Sequence, residues 1–158
     1  MKISKYQKIF GMGPTGAIIG LLLLGLLWLL DQALNRVEIL NQPKPLRIIG
    51  LSLIAIWFFW HIWCLRTIRS WWNKDQLCTT GPYRFVRHPI YAGGAVIFGF
   101  GLAFILNSWI LLLWPILMCL IWSVLVRSEE KMMEAVFGQD YARYAARTGR
   151  LLPRLFRK

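Results

Sequence analysis

The stretch YAGGAVIFGFGLAFILNSWILLLWPILMCLIWSVLV, Tyr91 to Val126, carries no charged residue and is broken near its middle only by Asn107-Ser108. A run this apolar is too long for one bilayer crossing of ~20 residues and about right for two. It therefore predicts a tight helical hairpin, with spans at 89–106 and 109–126. The first of these is drawn back to Pro89, because proline suits a first helical turn. Pro115, inside the fourth span, is expected to kink it, a defect that neighbouring helices tolerate in a membrane.

Working outward, two more apolar runs precede the hairpin, at about 10–30 and 48–65. The 158 residues are 57% hydrophobic and only 16% charged, with mean hydropathy +0.49. This composition excludes an ordinary soluble domain, and the length excludes a large transporter. The sequence predicts one all-α integral membrane domain over 1–158, with about four transmembrane helices and a C-terminal helical segment. Three lysines before a leucine-rich stretch imitate a signal peptide, but no small-x-small cleavage pattern follows, so the run is read as an uncleaved first helix.

The basic residues set the orientation. Three of the 19 Lys and Arg (Arg36, Lys44 and Arg47) lie between the first two spans, and the other sixteen flank the opposite ends. The positive-inside rule then puts both termini and the segments 75–91 and 127–154 in the cytoplasm, as in a bacterial inner-membrane protein. Topology and anionic lipid head groups account for the net charge of +12, so no nucleic-acid partner is expected. No obligate protein partner is evident either. Cys64, Cys78, Cys119, His61 and His88 are too scattered for a disulfide framework or a metal site. Ala95, Gly99 and Ala103, four apart in the third run, form a small-residue stripe that either packs a helix closely or leaves room for a bound molecule.

Two cytoplasmic stretches are richer in reactive side chains than topology requires: Thr79 through Tyr91, and Arg127 through Arg154. Gly81-Pro82 signals a turn. A helix beginning at Pro89 leaves backbone N–H groups free to join Arg84, Arg87 and His88 around an anion, although both arginines would equally serve lipid phosphates. A helix running to Phe137 and stopped by Gly138 carries Glu129 and Glu130. A second, amphipathic helix is expected from Asp140 as N-cap to Gly149, with Tyr141, Tyr144 and Ala145 on one face. Adjacent helical residues point ~100° apart, so one glutamate is expected to face a ligand and the other Arg127 or solvent.

The ordered set Gly81-Pro82-Tyr83-Arg84-x-x-Arg87-His88-Pro89-x-Tyr91-x-Gly93, a membrane hairpin, Glu129-Glu130 and Phe137-Gly138-x-x-Tyr141-x-x-Tyr144 resembles the isoprenylcysteine carboxyl methyltransferase family and its bacterial phospholipid-methyltransferase-like relatives. The resemblance covers about residues 75–154. It implies S-adenosylmethionine as cofactor and methyl transfer to a lipophilic small molecule or lipid with a carboxylate, thiol or amine head. By this resemblance Gln76, Leu77, Cys78, Tyr83, Arg87, His88, Pro89, Ile90, Tyr91 and Glu129 line the cofactor site. Arg127 and Glu130 are the substrate-side candidates. An aromatic face, a glutamate and N–H or basic donors complement the sulfonium, ammonium and carboxylate of that cofactor. The pattern departs from the prenylcysteine branch at Leu125, where that branch has an arginine one turn before the glutamate pair. Two rival readings stand beside this one. An NADPH-dependent reductase of the sterol-reductase type shares an Arg-His-Pro-x-Tyr element, and a small membrane exporter or assembly protein shares the helix count.

Overall fold

The computed structural model describes residues 11–71, 74 and 76–154. Phe10, the expected start of the first span, lies outside them. The described residues form α1 (Gly13–Ala33), α2 (Lys44–Trp71), α3 (Pro89–Leu106), α4 (Leu113–Phe137) and α5 (Gln139–Arg147). Short 3-10 turns occupy Gly81–Arg84 and Ile110–Leu112. Four of these helices are long and apolar enough to cross a membrane. Leu21, Leu22, Leu26, Leu29 and Phe59 are all at least 60% exposed, an arrangement water would not tolerate and lipid would. The chain is a multi-pass membrane protein.

In space α1 packs on α4, α4 on α3, and α3 on α2. The start of α1, the end of α2, the start of α3 and the end of α4 consequently share one end of the bundle. Small residues make the close contacts. A Cβ on Gly50 of α2 would stand 2.6 Å from the Gly101 carbonyl of α3, and one on Gly99 would stand 2.8 Å from Trp114. Gly16 and Gly20 of α1 lie under Trp122 and Met118 of α4, and the Trp114 indole N–H donates to the Gly20 carbonyl at 2.8 Å. The stripe on α3 therefore packs helices, with Ala95 and Ala103 buried, whereas the Cβ position of neighbouring Gly94 is open space. Residues Gly93–Phe98 wind as a π-helical segment inside α3, a local widening the apolar pattern does not signal.

At the end away from the glutamates, Asn107 turns the hairpin with φ 54°, a left-handed conformation that asparagine tolerates. Its side chain exchanges hydrogen bonds with the Leu40 backbone, at 3.0 and 2.8 Å. The Ser108 hydroxyl donates to buried Asp31 at 2.7 Å, which ties the hairpin to the last turn of α1. An open apolar cleft of about 310 Å³ lies between α1 and α3, lined by Leu21, Leu24, Gly25, Trp28, Leu102 and Leu106.

Three local expectations are corrected. Pro115 does not kink a helix interior: the 3-10 turn Ile110–Leu112 delays the start of α4 to Leu113, so the proline falls in a first turn, where it leaves no needed N–H missing. The second helix runs well beyond 48–65 at both ends, because hydropathy marks the hydrocarbon-spanning part while the helical ladder continues into the polar boundary. Asp140 is not the N-cap of α5. Gly138, at φ 52°, occupies that position, and Asp140 in the first turn pairs with Arg143 at 2.6 Å.

Candidate active site

The turn Gly81–Arg84 depends on a glycine at φ 57°, where a Cβ would meet the Thr67 hydroxyl of α2 at 2.8 Å. It buries Pro82 and Tyr83 and delivers the chain to Pro89. The Trp60 indole N–H fixes that entry by donating to the Pro89 carbonyl at 2.8 Å. His88 thereby sits at the start of α3, opposite the last turns of α4.

Both glutamates of α4 reach His88: Nδ1 is 3.4 Å from Glu129 Oε2, and Nε2 is 3.4 Å from Glu130 Oε1. The imidazole lies between their directions, so long side chains close the ~100° separation that argued against a shared pocket. Burial draws the His88 pKa down, but the two carboxylates outweigh it and hold the value above that of an ordinary histidine. Glu129 Oε1 also accepts the Tyr91 hydroxyl at 2.8 Å and the Met12 backbone N–H. Tyr91 is stacked between His88 and Trp122, with centroids 5.8 and 3.9 Å away. The result is a carboxylate bonded to the hydroxyl edge of a stacked Tyr91–Trp122 pair.

Glu130 turns away from Arg127. It accepts from Arg87 Nε at 2.8 Å and from Arg150 Nε and Nη2 at 2.9 and 2.6 Å. Arg87 also donates to the carbonyls of Ala145 and Thr148. The strand-like segment after α5 is stitched to the loop before α3, with the Arg87 and His88 N–H groups bound to the Gly149 and Arg150 carbonyls at 2.9 and 3.1 Å. Over this floor α5 lays Tyr141 and Tyr144. The Tyr144 hydroxyl donates to the Tyr83 carbonyl at 2.6 Å. Burial, reinforced by Glu130, pushes the Tyr141 phenol up to about 12. Two buried polar atoms here make no well-formed hydrogen bond among the described residues: the Tyr141 hydroxyl, and His88 Nε2, which faces Glu130 Oε1 at 3.4 Å.

Residues 46–140 match the phospholipid methyltransferase family, a stretch that runs from α2 through the start of α5 and includes both halves of the cluster. The chain belongs to the phospholipid methyltransferase family. Among curated proteins it is 30% identical over 111 residues to the cobalt-zinc-cadmium resistance protein CzcN of Cupriavidus metallidurans, covering 70% of this chain and 49% of that one. It is also 30% identical over 108 residues to the nickel-cobalt-cadmium resistance protein NccN of Alcaligenes xylosoxydans xylosoxydans, covering 68% and 49%. The chain spans about half the length of these curated relatives. No solved structure matches it significantly. Among the described residues no three His, Cys, Asp or Glu side chains are grouped to hold a metal.

Of the residues the family resemblance singles out, the fold gathers Arg87, His88, Tyr91, Glu129 and Glu130 into one cluster. Pro89 shapes the entry, and Tyr83 lies beneath Tyr144. Cys78 is buried and Leu77 and Ile90 are half-buried, while Gln76 is exposed. None of these four hydrogen-bonds to the glutamates among the described contacts. Arg127 is exposed on α4 and has no ion pair among the described residues. Arg84 is exposed and lies over the Phe85 ring, with its guanidinium 4.5 Å from the centroid. The anion cradle expected from Arg84, Arg87 and free N–H groups is therefore not formed as expected, because Arg87 is neutralised by Glu130 and the N–H groups of residues 87 and 88 bind the chain's own carbonyls.

Sequence reasoning missed Arg150, Met12 and Trp122. For Trp122 a signal existed: it lies seven residues before Glu129, on the same helical face. For Arg150 and Met12 there was none, since only tertiary contact brings them to the glutamates.

Proposed function

We propose that this protein transfers a methyl group from S-adenosylmethionine to a lipophilic acceptor at the cytoplasmic face of a bacterial inner membrane. The observation that carries this reading is the Glu129 carboxylate held at the hydroxyl edge of the Tyr91–Trp122 stack, at the end of the bundle richest in Lys and Arg. The fit to the donor is chemical. Glu129 would take its ammonium, with the Tyr91 hydroxyl beside it. The Tyr141 hydroxyl, which has no hydrogen-bond partner among the described residues, would offer a polar contact to its remaining groups.

When bound, the donor supplies an electrophilic methyl on a cationic sulfur. The chain's own residues do the rest by holding geometry and excluding water, the two demands that an in-line displacement makes. Glu130 clamps Arg87 and Arg150, which binds α5 and the following segment over the site, and Tyr141 and Leu151 are buried beneath that cover. This assigns Glu130 to positioning. Arg127, exposed at the end of the membrane-spanning part of α4, is proposed to meet an anionic acceptor head. The acceptor's apolar part would stay in the bilayer, so membrane lipids are both surroundings and candidate substrates. The metal-resistance names of the relatives describe those proteins, and the reading here rests on the family and on the carboxylate site.

The test is calorimetry of the purified protein with S-adenosylhomocysteine and with NADPH, followed by transfer of labelled methyl to prenylated thiol-carboxylates, phospholipid amines and hydrophobic thiols. Glu129→Gln is expected to weaken S-adenosylhomocysteine binding about ten- to hundred-fold. Binding of NADPH alone would support the reductase instead. Methylation of only fully water-soluble acceptors would overturn access from the bilayer. The cytoplasmic placement is checked by impermeant thiol labelling of Arg143→Cys in intact cells, where labelling from outside would refute it.

A further inference from the structure

The carboxylate assigned above to the donor's ammonium is already occupied by the chain itself. The Met12 backbone N–H donates to Glu129 Oε1, the oxygen that also accepts the Tyr91 hydroxyl at 2.8 Å. A carboxylate oxygen offers two lone pairs, and both are engaged. Gly11, at φ 44°, approaches so closely that a Cβ there would be driven into the Glu129 carboxylate, while Tyr91 Oη would lie 3.3 Å from it. Glycine is thus required twice over, by its conformation and by the approach. The seat is also favourable electrostatically. Met12 is the N-cap residue of α1 and makes no side-chain cap, so Glu129 of another helix supplies the negative charge that the N–H groups at a helix start attract.

We propose that Gly11–Gly13 is a gate on the donor site: seated on Glu129 when the site is empty and displaced when the donor's ammonium takes the same oxygen. The proposal rests on Glu129 being the donor's ligand. Seating and donor binding then compete, and the apparent donor affinity is the intrinsic one reduced by the unseated fraction. A gate seated nine-tenths of the time weakens binding about ten-fold. Releasing it restores that factor without any new contact to the ligand.

The experiment uses the full chain in nanodiscs with Met12→Cys and a water-soluble maleimide, with the parent protein as blank. Cys64 and Cys78 are buried and Cys119 is half-buried. Without ligand, Glu129→Ala is expected to raise the labelling rate of the introduced thiol several-fold, which tests the seat independently of the donor. With Glu129 intact, saturating S-adenosylhomocysteine is expected to raise labelling of that thiol as well. In calorimetry, Gly11→Ala is expected to bind S-adenosylhomocysteine about three- to ten-fold more tightly than wild type. Labelling that falls or stays constant on ligand addition, while calorimetry shows binding, overturns the gate and leaves the donor reading standing. So does a Gly11→Ala protein that labelling shows to be unseated but that binds no more tightly. No S-adenosylhomocysteine binding to either protein overturns the donor reading and the gate with it.

Discussion

Replacing Glu130 by alanine tests whether the ion cluster holds the cover of the site in place. In the native cluster Glu130 is 12% exposed and Arg87 11%, with 2.8 Å between their charged atoms. Arg150 is 36% exposed and binds through two nitrogens at 2.6 and 2.9 Å. Removing one partner of a buried pair costs about 3–5 kcal/mol, because the other charge stays desolvated and unpaired. The Arg150 limb is wet enough to contribute under ~1 kcal/mol, and Arg87 keeps the carbonyls of Ala145 and Thr148. The lower end, about 3 kcal/mol, is therefore expected. At about 2–4 °C per kcal/mol for a chain of this size, the Tm should fall by roughly 6–12 °C. Unfolding is followed in detergent by a thiol-reactive fluorophore reporting Cys64 and Cys78, both buried in the native state. Limited trypsin cleavage at Arg143 and Arg147 should accelerate at temperatures below that transition. Asp140→Asn, which breaks an ion pair whose partners are each 71% exposed, is the control and should leave Tm almost unchanged. A Glu130→Ala protein with Tm within about 2 °C of the parent and unaltered trypsin cleavage would refute the idea that this cluster clamps α5.

Two further expectations follow from the same structure. His88, flanked by Glu129, Glu130, Arg87 and Tyr91, has a raised pKa, so its stabilisation is fully present below the ordinary value of about 6.5 and is lost as pH rises through the folded value. The Tm gap between the parent and His88→Gln should accordingly narrow from about pH 6 to about pH 9, and a constant gap would contradict the assignment. Gly50→Leu places atoms where the Gly101 carbonyl already stands 2.6 Å from a Cβ, whereas Gly25→Leu enters open space. The first should destabilise by about 1–3 kcal/mol and the second hardly at all, and equal losses in the same unfolding assay would show that α2 and α3 do not pack through that glycine.

Hydropathy by itself determined the four crossings, because an apolar run of bilayer length has no other stable environment than lipid and no other way there to satisfy its backbone than a helix. The hairpin at Asn107-Ser108 and the helix end at Gly138 were legible for a similarly local reason, since both positions adopt the positive φ that Asn and Gly tolerate. The amphipathic face of α5 was legible from the spacing of Tyr141, Tyr144 and Ala145. These features depend on neighbours in sequence, so sequence suffices for them.

Tertiary structure alone decided the partners. Nothing local distinguishes α4 from α2 as the neighbour of α1, and the choice is made by Gly16 and Gly20 fitting under Trp122 and Met118. The helical-wheel argument separated Glu129 from Glu130, yet both meet His88, because a wheel gives the direction in which a side chain leaves its helix and not the reach of its end or the position of a residue arriving from another segment. Arg87 read as a ligand of an anion or lipid phosphate and Glu130 as a substrate-side candidate until Arg150, twenty residues beyond the glutamate, completed their cluster. Met12 reached Glu129 across 117 positions of sequence. Charge and hydrogen-bonding capacity are properties of residue type and can be read from the chain, whereas which capacity is already satisfied is a property of distance and is fixed only when the helices pack.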